Sequence, residues 1–143
     1  MNPFEIRREN FLISTDPSHH DLDAIHALLR ATHWAKDMSR EVLNRAFEHS
    51  LCFGLFDDGQ QIGFARLITD YCTYAYLTDV VVAVEYRGRG LGKWMMEAML
   101  AHPDLKGMRR IALLTLDAGQ LYEQFGFATD TGRLTYMERR VTS

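Results

Sequence analysis

The sequence predicts an α/β (α+β) fold: a mixed, mostly antiparallel central sheet flanked by helices, in one domain over residues 1–143. Three observations carry this. Short runs rich in β-branched and aromatic residues, bounded by turn signals, mark strands. Apolar residues at i, i+3, i+4 and i+7 mark helices between them. The two kinds of segment follow the order β-α-α-β-β-β-α-β-α-β-β, with strands in direct succession at the centre, which favours antiparallel pairing.

Taken in order, Phe11-Leu12-Ile13-Ser14 reads as a short strand and Asp16-Pro17-Ser18 as a turn with a capping residue. Leu22, Ile25, Leu28 and Leu29 fall on one face of a first helix. Ser39 is a cap candidate for a second helix carrying Val42, Leu43, Ala46 and Phe47. Leu51 to Phe56, the turn Asp57-Asp58-Gly59 and Ile62 to Ile68 form a hairpin signal, with Gly63 at a bulge. Thr73 to Val84 is a long strand run. Leu91, Trp94, Met95, Ala98 and Met99 stripe a third helix, and Pro103 lies past its end. Ile111 to Leu116 reads as a strand, Ala118 to Phe125 as a short helix before Gly126, and Arg133 to Val141 as a last strand.

Bulk properties exclude several classes. The chain has 143 residues, 47% hydrophobic and 24% charged, as expected for a globular protein with one core. No apolar stretch approaches the roughly 18 residues of a membrane span. The opening MNPFEIRREN carries charges where a signal peptide needs an apolar segment, so the expectation is cytoplasmic, with no membrane partner. The net charge is −3 and basic residues are spread along the chain, which argues against nucleic acid. Cys52 and Cys72 do not make a disulfide framework, and the histidines lack zinc-ligand spacing, so no metal is expected.

The segment RGRGLG, residues 87–92, lies between a strand run and an apolar-striped helix. A helix N-terminus exposes unpaired N–H groups, and glycines before it let an anion approach them. The plain alternative is a tight turn with no ligand. Walker A fails: Arg87 stands where its first glycine belongs, and Trp94 follows Gly92-Lys93. The dinucleotide fingerprint fails at Lys93.

Arg87-Gly88-Arg89-Gly90-Leu91-Gly92 resembles the coenzyme A pyrophosphate loop of the GNAT N-acetyltransferase superfamily, Arg/Gln-x-x-Gly-x-Gly/Ala. VVVAVEYRGRGLG looks like that family's central strand and loop together. LYEQFGF, residues 121–127, is similar to its second signature, a tyrosine four residues before the glycine of a Gly-Phe pair. The element order resembles the family's fold over essentially the whole chain. The resemblance implies transfer of an acetyl group from acetyl-CoA to the amine of a small molecule or peptide. The other reading is an acyl-CoA-binding module without turnover. A homodimer is an open possibility of assembly.

The resemblance also implies roles. Arg87, Gly88, Arg89, Gly90, Leu91, Gly92 and Lys93 would hold the pyrophosphate. Backbone groups of Val80, Val81 and Val82 would align the pantetheine arm and polarise the thioester carbonyl, while their side chains pack as core. Tyr122 would protonate the leaving thiolate; its alternative is packing at a helix end. The loop bearing His33 and Trp34 would wall the acceptor, or Trp34 would staple the core. Several family members carry a glutamate on the central strand, but alternation from Val80 and Val82 puts Thr78, Tyr76 and Tyr74 on that face. Tyr76 is thereby an acceptor-site candidate. Asp79, the one acid within the strand, would point to the opposite face unless a bulge turns it, and its roles as base or structural acceptor stay open.

Overall fold

The computed structural model describes residues 2–129 and 132–141. Its strands are β1 (Glu5–Arg8), β2 (Phe11–Ser14), β3 (Leu51–Asp57), β4 (Gln60–Thr69), β5 (Ala75–Val82) and β6 (Ile111–Leu113). Its helices are α1 (Leu22–Arg30), α2 (Arg40–Glu48), α3 (Leu91–Leu100) and α4 (Gly119–Glu123). The strands form one sheet in chain order, antiparallel except for the parallel pair β5–β6. The fold class is the one the sequence predicts: a mixed, mostly antiparallel sheet with helices against it.

Local chemistry sets the element ends. Asp21 Oδ1 accepts from the N–H groups of Asp23 and Ala24, both at 3.1 Å, and opens α1. Ser39 caps α2 through Val42 N–H at 3.1 Å, as expected. Asp58 and Gly59 have φ of 49° and 87°, the two left-handed residues of a type I′ turn between β3 and β4. Gly63 sits beside a bulge whose extra residue is Ile62; a Cβ on Gly63 would lie 3.0 Å from that of Leu55.

Each sheet face buries its own cluster. Phe53, Leu55, Leu67 and Leu77 pack with Trp94, Met95 and Met99 of α3. Cys52, Phe64 and Val81 pack with Ile25, Leu29 and Leu43 of α1 and α2. No helix among the described residues is long and apolar enough to cross a membrane.

The element order departs from expectation at both ends. β1 was not expected, because EIRR shows no apolar alternation; it pairs with β2 from Glu5↔Ser14 to Arg8↔Phe11. Arg133 to Val141 forms no strand among the described residues and is exposed throughout. The long run from Thr73 to Val84 is a strand only from Ala75 to Val82, since Asp70 folds residues 70–74 into a turn through the N–H groups of Cys72 and Thr73.

The largest correction lies inside β5. Phe64 faces Val81 and Arg66 faces Thr78, so Ala65 alone opposes both Asp79 and Val80. This is a β-bulge, and Asp79 occupies the left-handed region at φ 57°. The bulge inverts alternation. Leu77 packs on the α3 side and Val81 on the α1/α2 side, although residues four apart share a face in a regular strand. Val80 and Val82 pack toward the α3 cluster, so they do not share the face of Tyr76 and Thr78.

Candidate active site

β6 pairs with only the first half of β5: Ala75↔Ile111, Tyr76↔Ala112 and Leu77↔Leu113. From Thr78 to Val82, among the described residues, β5 has a neighbouring strand only on its β4 side. Ala83 N–H donates to Ile62 O at 2.8 Å. Antiparallel alternation therefore turns the backbone groups of Val82 toward the open edge and those of Val81 toward β4. Arg87 Nε reaches Val82 O on that edge at 3.0 Å.

The open edge runs into the glycine segment. Gly88 and Gly90 have φ of 79° and 77°, which an L side chain rarely adopts. Gly90 is the N-cap of α3, and no side chain caps it. Trp94 N–H is the first to find a carbonyl within the helix, that of Gly90 at 3.0 Å. The N–H groups of Leu91, Gly92 and Lys93 belong to the first turn, where helices lack internal acceptors. A Cβ on Gly88, Gly90 or Gly92 would meet nothing within 4 Å, so the approach is clear. Leu91 is buried and anchors the turn while Lys93 is exposed. These features fit a pyrophosphate.

Tyr86, unremarked in the sequence, fixes this loop. Its hydroxyl donates to Asp57 Oδ2 at 2.5 Å, and the Arg89 guanidinium lies 5.0 Å from its ring centroid. The loop is thereby tied to the β3–β4 hairpin.

Tyr122 stands on α4, edge-on to Phe127 with centroids 5.9 Å apart. Both rings line a cleft of about 830 Å³ shared with Leu100, Ile111, Leu113 and Phe125. Burial pushes the Tyr122 phenol above its ordinary value near 10, so it is protonated at neutral pH.

Across the sheet, the bulge turns Asp79 toward the α1/α2 side, not away from it. Its Oδ2 accepts from Arg66 Nε at 2.9 Å and its Oδ1 from Trp34 Nε1 at 3.2 Å. The side chains of Asp79 and Arg66 are 3% and 12% exposed. Arg66 also donates through Nη1 to Ser50 Oγ at 3.2 Å. Trp34 keeps half of its surface exposed, and His33 stands edge-on to it at 5.1 Å. Trp34 is therefore tied to the core at its N–H rather than buried as a staple. Half-buried Tyr76 shares the strand, and its phenol is raised mainly by burial. Sequence reasoning missed Arg66; its one signal was a cation inside the apolar run Gly63-Phe64-Ala65-Arg66-Leu67-Ile68.

Known proteins are similar to this chain in sequence and fold. The crystal structure of a GNAT-family protein from Xanthomonas campestris pv. campestris superposes with a TM-score of 0.86 at 50% identity, over 92% of this chain and 93% of its own. FG08082 of Gibberella zeae, which carries an acetyltransferase name, is 36% identical over 139 residues, 80% of this chain and 77% of that protein. Serotonin N-acetyltransferase 2, chloroplastic, of Oryza sativa subsp. japonica is 30% identical over 132 residues, 88% of this chain and 66% of that protein. The model of the acetyltransferase (GNAT) family matches residues 19–127, from the turn before α1 through Phe127. With the glycine-opened helix and the Tyr122 signature inside that span, the chain belongs to the GNAT family of acetyltransferases, which implies acetyl transfer from acetyl-CoA.

Proposed function

We propose that this chain transfers the acetyl group of acetyl-CoA to a primary amine of a small molecule or peptide by direct attack on the thioester. The observation that carries the reading is the continuity of two features: the free edge of β5 and the uncapped N-terminus of α3 that follows it. An extended pantetheine arm suits the first, and a pyrophosphate suits the second.

Residues 87–93 hold the pyrophosphate, with backbone N–H groups as the main donors and Arg87 and Arg89 as nearby charge. The open edge at Val82 aligns the arm through its backbone N–H, since its carbonyl takes Arg87 Nε, and a backbone N–H on this edge polarises the thioester carbonyl. Val80 and Val81 support it by packing on opposite faces. Tyr122 supplies the proton for the departing thiolate, whose conjugate acid has a pKa of about 8.5.

The amine enters from the α1/α2 side, past His33, Trp34 and Tyr76. Asp79 is a poor candidate for its base, because both carboxylate oxygens already accept hydrogen bonds, one from a guanidinium. Ordered water then carries the proton away. The amine itself stays at the level of a class, and the rice relative's name makes an arylalkylamine one member worth including.

The test incubates the protein and acetyl-CoA with serotonin, spermidine, an aminoglycoside, free amino acids and a peptide with a free N-terminus and a lysine. Free thiol is followed. Amine-dependent thiol release supports transfer. Tight binding of acetyl-CoA without release for any amine favours the binding-module reading, and absence of binding overturns both.

A further inference from the structure

We infer that Arg66 is a positioning residue for acetyl transfer, acting through Asp79 on both sides of the reaction at once. The catalytic part rests on the acetyl-transfer reading; the coupling rests on geometry alone. Four elements meet at this ion pair. Arg66 comes from β4, Asp79 from the bulge in β5, Trp34 from the segment between α1 and α2, and Ser50 from the turn between α2 and β3. Ser50 Oγ in turn donates to Ala46 O at 2.7 Å, at the end of α2.

The physical argument starts from burial. A carboxylate 3% exposed is strongly disfavoured unless paired and hydrogen-bonded. Arg66 supplies the charge, and its planar fork reaches Asp79 through Nε and Ser50 through Nη1. Asp79 is thus held by partners on both carboxylate oxygens in a left-handed conformation, φ 57°, which aspartate tolerates better than most residues. That conformation is the bulge, and the bulge inverts the strand just before its open edge.

The same carboxylate holds the Trp34 indole N–H while leaving the ring half exposed. An aromatic face pinned at one end and open to solvent at the other suits an amine-bearing substrate. Pairing with Arg66 also offsets the negative charge an amine would otherwise find there. Acceptor recognition in this reading depends on a ring held in place, not on a buried carboxylate.

The first test needs no acceptor. The chain has two tryptophans, so the ¹⁵N-labelled protein gives two indole resonances, assigned with Trp34→Phe. Arg66→Lys keeps the charge but not the fork. It should shift the Trp34 indole signal and speed its hydrogen exchange by about tenfold or more, as loss of a hydrogen bond to a charged group implies. The Trp94 signal should stay put. Asp79→Asn should reproduce the effect if Arg66→Lys alone proves poorly folded. An unchanged Trp34 signal in both folded variants overturns the coupling.

The second test uses the fastest amine of the panel above. Trp34→Phe should raise the amine KM more than it lowers kcat, whereas Arg66→Lys should change both. Their double variant should be less impaired than the product of the single effects, because both act through Asp79. Strictly multiplicative effects, or wild-type kinetics in Arg66→Lys, would overturn the positioning role. Absence of turnover by the wild type would sink acetyl transfer and this role with it, and coupled indole signals would still stand as geometry.

Discussion

The two halves of β5 belong to one continuous strand and differ in what lies beside them. Ala75 to Leu77 has a strand on each side and a regular alternation of faces. Among the described residues, Thr78 to Val82 has a strand on one side only, a bulge at its start, and a glycine-rich turn after its end. The first half has its backbone paired on both sides. The second turns the Val82 backbone to an edge with no strand beside it among the described residues, where its carbonyl takes Arg87 Nε and its N–H meets no strand. The difference teaches where to look in such a sheet: at the place where its ladder stops short.

Mutations should separate the halves. The largest effect is expected at Tyr122, which tests whether the open half presents a thioester to an acid. Tyr122→Phe keeps the ring against Phe127 and removes the proton, so kcat should fall by about 10²–10⁴-fold. The high-pH limb of the rate profile should also weaken. That limb should lie above pH 10 in the wild type, because burial raises this phenol and activity is lost only as the pH passes its pKa. Steady-state rates at saturating acetyl-CoA and amine, measured across a pH series, would check this.

Next comes Gly90→Asp, which strikes the turn after the open half. It puts a side chain at φ 77° and a negative charge where an anion should sit. Acetyl-CoA affinity should fall by more than ~10²-fold, since facing like charges costs several kcal/mol. Calorimetric titration reads it, and unchanged affinity in a folded variant would break the comparison.

Leu77→Ala strikes the paired half. Its side chain is buried against the α3 cluster, so stability should fall by about 2–5 kcal/mol in urea unfolding. KM for acetyl-CoA should hold. The smallest effect is a control from outside the strand. Burial keeps His20 below its ordinary pKa of 6.5. The folded state then binds fewer protons than the unfolded one as pH falls past 6.5, so this contribution is full above that pH and is lost below it. The melting temperature should drop with acid, less so in His20→Gln, with no change in acetyl-CoA affinity at pH 7.5.

Legibility in the sequence followed the same divide. The glycine turn ahead of α3 could be read because its signals are local: glycines at left-handed φ just before an apolar-striped helix. The short helix bearing Tyr122, closed before Gly126, could be placed for the same reason. The direction of Asp79 could not, since alternation counts faces correctly only until a register defect, and one extra residue reversed the result. Arg66 was invisible because its meaning depends on what lies beside it in another strand. β1 was missed because Glu5-Ile6-Arg7-Arg8 offers one apolar residue, Ile6, and is otherwise held by backbone pairing with β2. The strand expected over Arg133 to Val141 has suitable composition, but composition alone does not set a strand pairing, and no strand forms there among the described residues.

The order of the sheet has a consequence for how the chain reaches this state. Spatial order equals chain order, and β3, β4 and β5 are linked by short turns. Contacts between near neighbours in sequence form fast, because little loop entropy is lost in closing them. The parallel pair β5–β6 must wait for α3 to fold across. Folding should therefore begin in the β3–β5 meander and end at β6. In a φ-value experiment, Leu55→Ala would slow folding and Leu113→Ala would mainly speed unfolding. The cleft holding Tyr122 would be the last part of the molecule to take shape and the first to come apart.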